Sequence, residues 1–572
     1  MIAAALLVLS HAPAAHAAAK ADMVLYGGQV VTMDPDRPSA SAVAVRDGKI
    51  VAVGGDGIAS QYDAAETIDL KGRMLMPGFI DTHVHIIGQP RRAVDLSKAH
   101  SIAGIQQLVR DKARELGKGE WITGYGWDEA QLAEKRNIVS TDLDEAAPDN
   151  PVALTRAGSH SIAGNSMAMR LAGIGRTTPN PDHGVIEHFA NGEPNGIIRE
   201  RTDLYSKLVP PPAAGEMKPS FVARLKALLP LGITSLMEAL TTIDDEPVGK
   251  GGIAGGKGPS TAPTFRQFRE IYAEQGESLP RATLYIFYPG AERLKAFPYH
   301  TGYGDDRLKL GPIGEGLFAD GGFTGPTAWT LQDYKGMPGF RGRAATPPDE
   351  LRAMVRTARD LGWQLGIHAI GDAAIQRLVG IYAQALAEKP QKDARWFTAH
   401  LTMLPPPETL SLMASHGIWA AVQPNFLYNL EGRYNETLEG ERLQHINPVG
   451  TPLRWGVHLA FGSDNLPIGP LYGFYVAVTR KGQSGTVYGA DEAVSRIAAL
   501  RAYTQDAAWL TWDEKKKGSL TPGKLADMIV LDHNLLTVPE EEILDTRVDI
   551  TIVGGKTVYR RQPEQGRPDA GA

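Results

Sequence analysis

The chain has 572 residues and a net charge of −6, with 43% hydrophobic and 22% charged residues. These values describe an ordinary globular protein longer than one average domain. The sequence has no basic cluster, which argues against nucleic acid or an acidic membrane surface as a partner. The sequence contains no cysteine, which excludes disulfides, thiolate metal ligands and a cysteine nucleophile.

The first residues have the features of a secretory signal peptide. Residues 1–9 are apolar, and Ala15-His16-Ala17 fits the small-x-small cleavage pattern. The usual positive charge before the apolar run is absent, so a disordered apolar tail is the alternative. We expect a signal peptide over residues 1–17 and a mature protein in the periplasm or outside the cell. Neither this run nor any later stretch is long enough to span a membrane.

Short β-strands are expected at both ends of the chain. Between residues 23 and 68, short apolar stretches are separated by Gly-Gly, Pro-Asp and Asp-Gly turns. Residues 526–532 and 548–559 have the same character. We therefore expect one small β-sandwich domain composed of residues 23–74 and 518–561, followed by a disordered tail over residues 562–572.

An α/β barrel is predicted between these ends. Over residues 75–517, apolar strands alternate with helical stretches, which indicates a parallel α/β fold; eight strands suit a (β/α)8 TIM-type barrel with its active site at the carboxyl ends of the strands. A long insertion after the first strand, residues 90–208, is expected to form a lobe over the barrel mouth. The predicted strands are residues 75–80, 233–238, 283–288, 313–319, 364–367, 396–399, 419–422 and 459–461.

Two histidines follow the first predicted strand. His83 and His85 are two residues apart, so an extended chain points both to one side, together with Asp81. Two imidazoles at the end of a buried strand are costly to desolvate unless something binds them, and a divalent metal is the obvious candidate. A pair of hydrogen-bonded histidines in a loop is the alternative.

Three more polar residues follow predicted strands. His368 comes after the fifth strand, His400 after the sixth and Asp464 after the eighth. Because barrel strands end at one face, these residues should lie near His83 and His85. Four histidines and one aspartate form a ligand set that suits zinc or a related divalent ion.

Longer motifs identify a family. The sequence resembles the amidohydrolase superfamily, and within it the YtcJ-like branch of metal-dependent hydrolases, over nearly the whole mature chain. The motifs that carry the likeness are Pro77-Gly-Phe-Ile-Asp-Thr-His-Val-His85, Gly124-Tyr-Gly-Trp-Asp128, Leu143-Asp-Glu-Ala-Ala-Pro148, Gly158-Ser-His160, Gly192-Glu-Pro-Asn-Gly196 and Leu520-Thr-Pro-Gly-Lys-Leu-Ala-Asp-Met-Ile-Val-Leu531.

The resemblance implies a role for each site residue. His83 and His85 would hold the more buried metal, with Asp464 close by as a ligand and as the general base. His368 and His400 would hold a second metal or orient the substrate. Zinc, as one or two ions, is the expected cofactor. Asp81 is expected to orient the histidine pair without binding the metal itself.

The fourth predicted strand departs from the family pattern. Members of the superfamily often have a bridging ligand there, frequently a carboxylated lysine, but Gly316 stands at the lysine position. The adjacent Glu315 is expected to bridge two metals instead, which requires a bulge or a register shift. Without Glu315, the site would hold a single metal.

Three residues outside the ligand set are expected to line the substrate pocket. His160 and Asn165 belong to the inserted lobe. Glu200 matches an acid of the branch but is equally compatible with a surface charge.

The predicted reaction is hydrolysis of a non-peptide, amide-like carbon–nitrogen bond of a small molecule. Metal-activated water would attack the carbonyl, Asp464 would transfer its proton to the leaving nitrogen, and His400 or His368 would stabilise the oxyanion. Hydrolysis of an ester or lactone, or deamination, at the same site is the alternative. A remote alternative is an exported binding protein that has no catalytic turnover. The sequence is also compatible with a homodimer.

Overall fold

The computed structural model describes residues 18–127, 129, 132–156, 161–181, 184–213, 215–243, 263–314, 317–323, 326–465 and 468–562. The expected signal peptide and residues 563–572 of the expected tail lie outside these ranges. Within them, no helix is both long and apolar enough to cross a membrane.

Strands and helices alternate through most of the described chain. The strands are β1 (Ala19–Tyr26), β2 (Gln29–Val31), β3 (Ser39–Ala40), β4 (Ala42–Arg46), β5 (Lys49–Gly54), β6 (Tyr62–Asp69), β7 (Met74–Pro77), β8 (Phe79–Val84), β9 (Ala93–Asp95), β10 (Ile122–Trp127), β11 (Val152–Arg156), β12 (Ser161–Gly164), β13 (Val185–His188), β14 (Pro194–Arg199), β15 (Ile233–Thr241), β16 (Arg281–Ile286), β17 (Leu308–Ile313), β18 (Gly366–Ala369), β19 (Phe397–His400), β20 (Trp419–Val422), β21 (Leu459–Phe461), β22 (Met528–Leu531), β23 (Val548–Val553) and β24 (Lys556–Arg560). The helices are α1 (Ile58–Gln61), α2 (Ile102–Leu116), α3 (Ser140–Ala146), α4 (Ser166–Leu171), α5 (Asp203–Ser206), α6 (Lys218–Ala227), α7 (Phe265–Gln275), α8 (Ala291–Ala296), α9 (Pro348–Asp360), α10 (Asp372–Glu388), α11 (Pro407–His416), α12 (Asn425–Asn429), α13 (Glu431–Thr437), α14 (Gly440–Gln444), α15 (Gly450–Arg454), α16 (Pro470–Thr479), α17 (Arg496–Ala502) and α18 (Gln505–Leu510).

Strands from the two ends of the chain form two sheets. One sheet has the order β5-β4-β1-β6, and the other has the order β24-β23-β22-β7-β2-β3. Buried apolar side chains from both sheets share one core, with Leu25, Val43, Leu75, Val530 and Ile552 among them. The strands expected at both chain ends are therefore present, and strands from the two ends pair within one sheet.

Eight parallel strands carry the candidate site. They form two four-stranded sheets with the orders β8-β15-β16-β17 and β18-β19-β20-β21, and every neighbouring pair is parallel. A parallel bridge between Ile313 and Leu365 connects β17 to the start of β18. At the other edges, the Asp464 amide donates to the His83 carbonyl at 2.7 Å. Hydrogen bonds thus join the two sheets at both pairs of edges.

The predicted first barrel strand, residues 75–80, has the wrong boundaries. The apolar stretch is divided at Gly78 into β7, which pairs antiparallel with β22, and β8, which pairs parallel with β15. A Cβ atom at Gly78 would overlap the side chain of Thr234, so glycine allows the chain to pass closely between the two sheets. Both strands are completely buried. Because the residues on both sides of Gly78 are buried, their hydrophobicity does not indicate that one strand ends there and another begins.

The prediction of the fourth barrel strand over residues 313–319 is also wrong. The observed strand is β17, which ends at Ile313, and the Leu317 amide donates to the Gly314 carbonyl at 3.1 Å. The Ala319 amide donates to the His368 carbonyl at 2.9 Å. Leu317 is buried in the core although it lies outside the strands. Its hydrophobicity therefore reflects burial, which a strand and a buried loop share.

The segment between β8 and β15 forms a separate layer. It contains a six-stranded sheet with the order β13-β14-β12-β11-β10-β9. Its own buried cluster includes Ile105 and Val109 of α2, Leu143 of α3 and Leu154 of β11. The region expected to form an inserted lobe therefore has its own sheet and core.

Candidate metal centre

His83 and His85 lie at the carboxyl end of β8. His83 is completely buried, and 13% of the His85 side chain is exposed. Their ring centroids are 5.1 Å apart, so both imidazoles lie on the same side of the strand, as the spacing predicts. Asp81 Oδ1 accepts hydrogen bonds from the amides of His83 (3.2 Å) and Ser463 (2.9 Å). Asp81 thus ties β8 to the segment after β21.

Asp464 is in direct contact with His85. The distance from Asp464 Oδ1 to His85 Nε2 is 3.1 Å, and Asp464 has a left-handed backbone with φ 59°. Burial raises the pKa of the Asp464 carboxyl, but the nearby imidazoles of His85, His83 and His400 outweigh it and hold the pKa well below its usual range. The carboxylate is therefore ionised at neutral pH.

His400 and His368 extend the cluster. The His400 ring centroid lies 4.8 Å from that of His83 and 4.5 Å from that of His368. His400 is 3% exposed and has φ 87°, a backbone conformation that costs free energy in a non-glycine residue and is often found at functional sites. The structure thus brings together the four histidines and the aspartate that were predicted to meet.

The other predicted residues have different outcomes. Glu315 and His160 lie outside the described residues, as does Gly316. Asn165 is completely buried and caps α4: its Oδ1 accepts from the amides of Val152 and Ala168, at 3.1 and 3.0 Å.

The pocket-lining prediction for Asn165 is therefore wrong, since its side chain is used within the lobe. Its Nδ2 donates to the carbonyls of Ala147 and Asn150, at 3.2 and 2.8 Å. Glu200 is exposed after β14 and has φ 60°.

Glu238 is a buried acid beside the cluster that the sequence motifs do not indicate. It lies in β15, and its Oε1 accepts from the Ile86 amide at 3.3 Å, while its Oε2 accepts from the Leu240 amide at 3.1 Å and from the Thr241 hydroxyl. Burial raises the pKa of Glu238 to about 7, opposed by these hydrogen bonds and by His85. Its place as the last residue of a predicted strand was a signal that could have identified it.

Asp320 is a second buried acid that was missed. Its carboxylate accepts from three amides: Ile370 at 3.0 Å, Gly371 at 2.8 Å and Trp329 at 2.8 Å. Its Oδ1 is 3.9 Å from His368 Nε2. Burial raises the pKa of Asp320 to about 6, although His368 and the three amides oppose this. Asp320 thus holds the loop after β17 against the turn that follows His368.

The ligand atoms fit a metal ion. One atom from each of His83, His85 and Asp464 can be chosen so that all three lie within 4.8 Å of one another. Two imidazole nitrogens and a carboxylate oxygen are donors that zinc and related divalent ions accept. A cavity of about 970 Å³ lies elsewhere, beside the first residues of β19, β20 and β21, so the chemistry of the donor set, rather than cavity volume, indicates the site.

The chain is similar to known proteins along most of its length. The family model of the amidohydrolase family matches residues 66–559. The YtcJ protein of Bacillus subtilis (strain 168) is 30% identical over 550 residues, which cover 94% of this chain and 99% of that protein. The N-substituted formamide deformylase of Arthrobacter pascens is 26% identical over 556 residues, covering 94% and 98%.

A solved structure shares the fold. The crystal structure of a metal-dependent hydrolase from Pyrococcus horikoshii covers 91% of this chain and 99% of its own, with a TM-score of 0.69 and 24% sequence identity. The family model covers most of the chain, and the B. subtilis relative is similar along almost its entire length. The chain is therefore a member of the amidohydrolase family.

Proposed function

We propose that this protein hydrolyses a non-peptide, amide-like carbon–nitrogen bond of a small molecule at a divalent metal centre, with zinc as the metal. The observation that carries the proposal is the convergence of four histidines with Asp464. The ring centroids of His83 and His85 are 5.1 Å apart, those of His83 and His400 4.8 Å, and those of His400 and His368 4.5 Å, while Asp464 contacts His85 at 3.1 Å. The similarity to a formamide deformylase over nearly the full length supports the choice of bond.

The proposed architecture is a closed (β/α)8 barrel with two additions. The order of the parallel strands and the hydrogen bonds at both pairs of edges support closure. In this proposal residues 75–517 form the barrel with residues 90–208 as its lobe, and residues 23–74 and 518–561 form a composite sandwich. Export by a signal peptide over residues 1–17 is a further proposal, which cell fractionation tests.

His83, His85 and Asp464 are proposed to hold the first metal ion. His368 and His400 would hold a second ion or orient the substrate, and Glu315 is proposed to bridge two ions. When bound, a divalent ion supplies Lewis acidity, which polarises a carbonyl group and lowers the pKa of water.

Asp464 is proposed to transfer the proton. Its low pKa keeps the carboxylate ionised, and the contact with His85 at 3.1 Å holds it in a fixed orientation. From this position it can accept a proton from water and pass it to the departing nitrogen. A donor nitrogen on His368 or His400 would stabilise the negative charge on the carbonyl oxygen.

A substrate screen combined with metal analysis tests the proposal. Purified protein would be assayed for bound metal by elemental analysis and then screened against N-acyl and N-formyl compounds, with and without a chelator. We expect stoichiometric zinc and chelator-sensitive release of an amine. Turnover of esters, lactones or aminated heterocycles alone would change the assigned bond, and activity that a chelator does not affect would overturn the mechanism.

A further inference from the structure

The turn after β20 links the two strands on either side of it. β20 pairs with β19, which ends at His400, and with β21, which precedes Asp464. Gln423 follows β20 directly and Asn425 is the first residue of α12, and both are at most 1% exposed. Gln423 contacts His400, while Asn425 Nδ2 donates to the Ser463 carbonyl at 2.8 Å. This turn therefore contacts both neighbouring segments of the candidate site.

The orientation of the Gln423 amide is determined by its two contacts. Nε2 donates to the Ala421 carbonyl at 3.2 Å, and Oε1 lies 2.7 Å from His400 Nδ1. The reverse orientation would place the amide oxygen against a carbonyl oxygen, and neither has a proton to share. The amide oxygen therefore faces the imidazole.

This contact determines where the proton of a neutral His400 lies. A neutral imidazole has one N–H donor and one nitrogen with a lone pair. Because Gln423 presents an acceptor, Nδ1 must carry the hydrogen, which leaves the lone pair on Nε2. The ring of Phe426 stacks on His400 with a centroid distance of 5.9 Å and helps to keep its orientation.

We propose that Gln423 is a positioning residue that fixes His400 as the Nδ1–H tautomer, so that Nε2 is the atom His400 offers for binding. The consequence for metal binding rests on the proposed function. A neutral His400 in this tautomer cannot donate from Nε2 to an oxyanion, so between the two roles considered for His400 the contact favours that of a ligand. Histidine ligands are commonly oriented in this way by an acceptor behind the ring.

Three variants separate this role from a purely structural one. Gln423→Leu removes the acceptor, whereas Gln423→Glu keeps an acceptor facing Nδ1. The matched control is Gln364→Leu: Gln364 is also a buried glutamine, and its Nε2 donates to the carbonyls of Arg395 and Leu510, at 2.8 and 3.0 Å. Zinc-loaded proteins would be dialysed against graded chelator concentrations, and retained zinc would be measured by elemental analysis.

Gln423→Leu should weaken zinc retention by about 10- to 100-fold, while Gln423→Glu should stay within a few-fold of the wild type. Gln364→Leu should unfold at a lower temperature but retain zinc like the wild type. Equal retention by Gln423→Leu and wild type, or an equal loss in both Gln423 variants, would overturn the proposal.

A measurement on the metal-free wild type does not depend on any variant folding. The ¹⁵N spectrum of histidine-labelled protein distinguishes a protonated ring nitrogen from a bare one, and the signals of His400 are assigned by their loss in His400→Asn. We expect a protonated Nδ1 and a bare Nε2, and the opposite tautomer would overturn the role of Gln423. If the expected tautomer is present but the wild type binds no metal, the tautomer assignment holds and the proposed metal function fails.

Discussion

Nε2 of His85 lies 3.1 Å from Oδ1 of Asp464, and the two side chains are 13% and 16% exposed. This pair joins the end of β8 to the segment after β21, the first and last strands of the eight parallel strands. It also places an ionised carboxylate beside the histidines. The function of the site depends on this relationship, since the proposed proton acceptor and a proposed metal ligand are in direct contact.

Replacing Asp464 with asparagine removes the proton acceptor but keeps the shape of the side chain. We expect Asp464→Asn, compared with wild type at equal metal content, to lose turnover by a factor of about 100 or more, because an amide cannot accept the proton from water. The measurement is kcat with a substrate from the screen, together with metal content. The control is Asp506→Asn, since Asp506 forms its ion pair with Arg501 at 3.1 Å and lines the separate cavity. Near-normal turnover of Asp464→Asn would exclude Asp464 as the base.

A buried ion pair connects the parallel strands to the chain-end sheets. Arg281, the first residue of β16, contacts Asp527 through two hydrogen bonds of 2.7 and 3.0 Å, and the side chains are 5% and 3% exposed. Either Arg281→Met or Asp527→Asn leaves one buried charge without its counterion and should lower the free energy of unfolding by about 3–5 kcal/mol. The double variant should lose less than the sum of the two.

Urea unfolding of the four proteins in this cycle measures the coupling. The control is Asp63→Asn, which disrupts the exposed pair of Lys20 and Asp63, with side chains 80% and 60% exposed; we expect a change below about 1 kcal/mol. Additive effects at Arg281 and Asp527 would contradict the expected coupling.

The sequence predicted the site more accurately than the ends of its strands. His83, His85, His368, His400 and Asp464 were found because each follows an apolar strand, and parallel strands deliver the residues after them to one face. Gln423 directly follows β20 and fits the same rule, whereas Glu238 is the last residue of a predicted strand and lies within β15. The sequence does not indicate either residue, because a single glutamate or glutamine near the end of a strand has no motif that distinguishes it from an ordinary polar residue.

The errors in the strands have a common physical cause. Hydrophobicity reports burial, and both the break at Gly78 and the loop at Leu317 are buried. A pattern of apolar residues cannot show which of two sheets a buried strand joins, or whether a buried segment is extended. The function of Asn165 was mistaken for a similar reason, since one polar residue type serves equally to cap a helix and to line a pocket.

Asp320 should determine whether the loop after β17 stays attached. Its carboxylate accepts from the amides of Ile370, Gly371 and Trp329, and an asparagine would direct its NH₂ group at one or more of these donors. We expect Asp320→Asn to reduce the free energy of unfolding by about 1–3 kcal/mol and to make the segment 326–346 more sensitive to limited proteolysis. Asp333→Asn is the matched control, because Asp333 lies in the same loop but accepts hydrogen bonds from Gly339 and Arg341, which belong to that loop as well. Equal cleavage of both variants would contradict an anchoring role for Asp320.

A buried lysine predicts a rise in stability with pH. Lys309 Nζ lies 2.6 Å from Asp513 Oδ2, and Lys517 Nζ lies 3.0 Å from the same atom. Burial and, next, the charge of Lys517 lower the pKa of Lys309 from 10.5 to about 8, although Asp513 opposes the shift. Between these two pKa values the unfolded chain binds more protons than the folded protein, so the contribution of Lys309 to the free energy of unfolding increases as pH rises.

The variant Lys309→Met isolates this contribution, because groups that titrate in both proteins cancel in the difference. From about pH 7.5 to about pH 9.5, wild type should gain roughly 1–2 kcal/mol relative to Lys309→Met, measured by urea unfolding at each pH. The exposed Lys295 provides the control: Lys295→Met should differ from wild type by nearly the same amount at both pH values. A difference between wild type and Lys309→Met that does not change with pH would mean that the Lys309 ammonium is no harder to maintain in the folded protein than in the unfolded chain. A difference that moves in favour of the variant at high pH would mean that the ion pair with Asp513 outweighs both burial and the repulsion from Lys517.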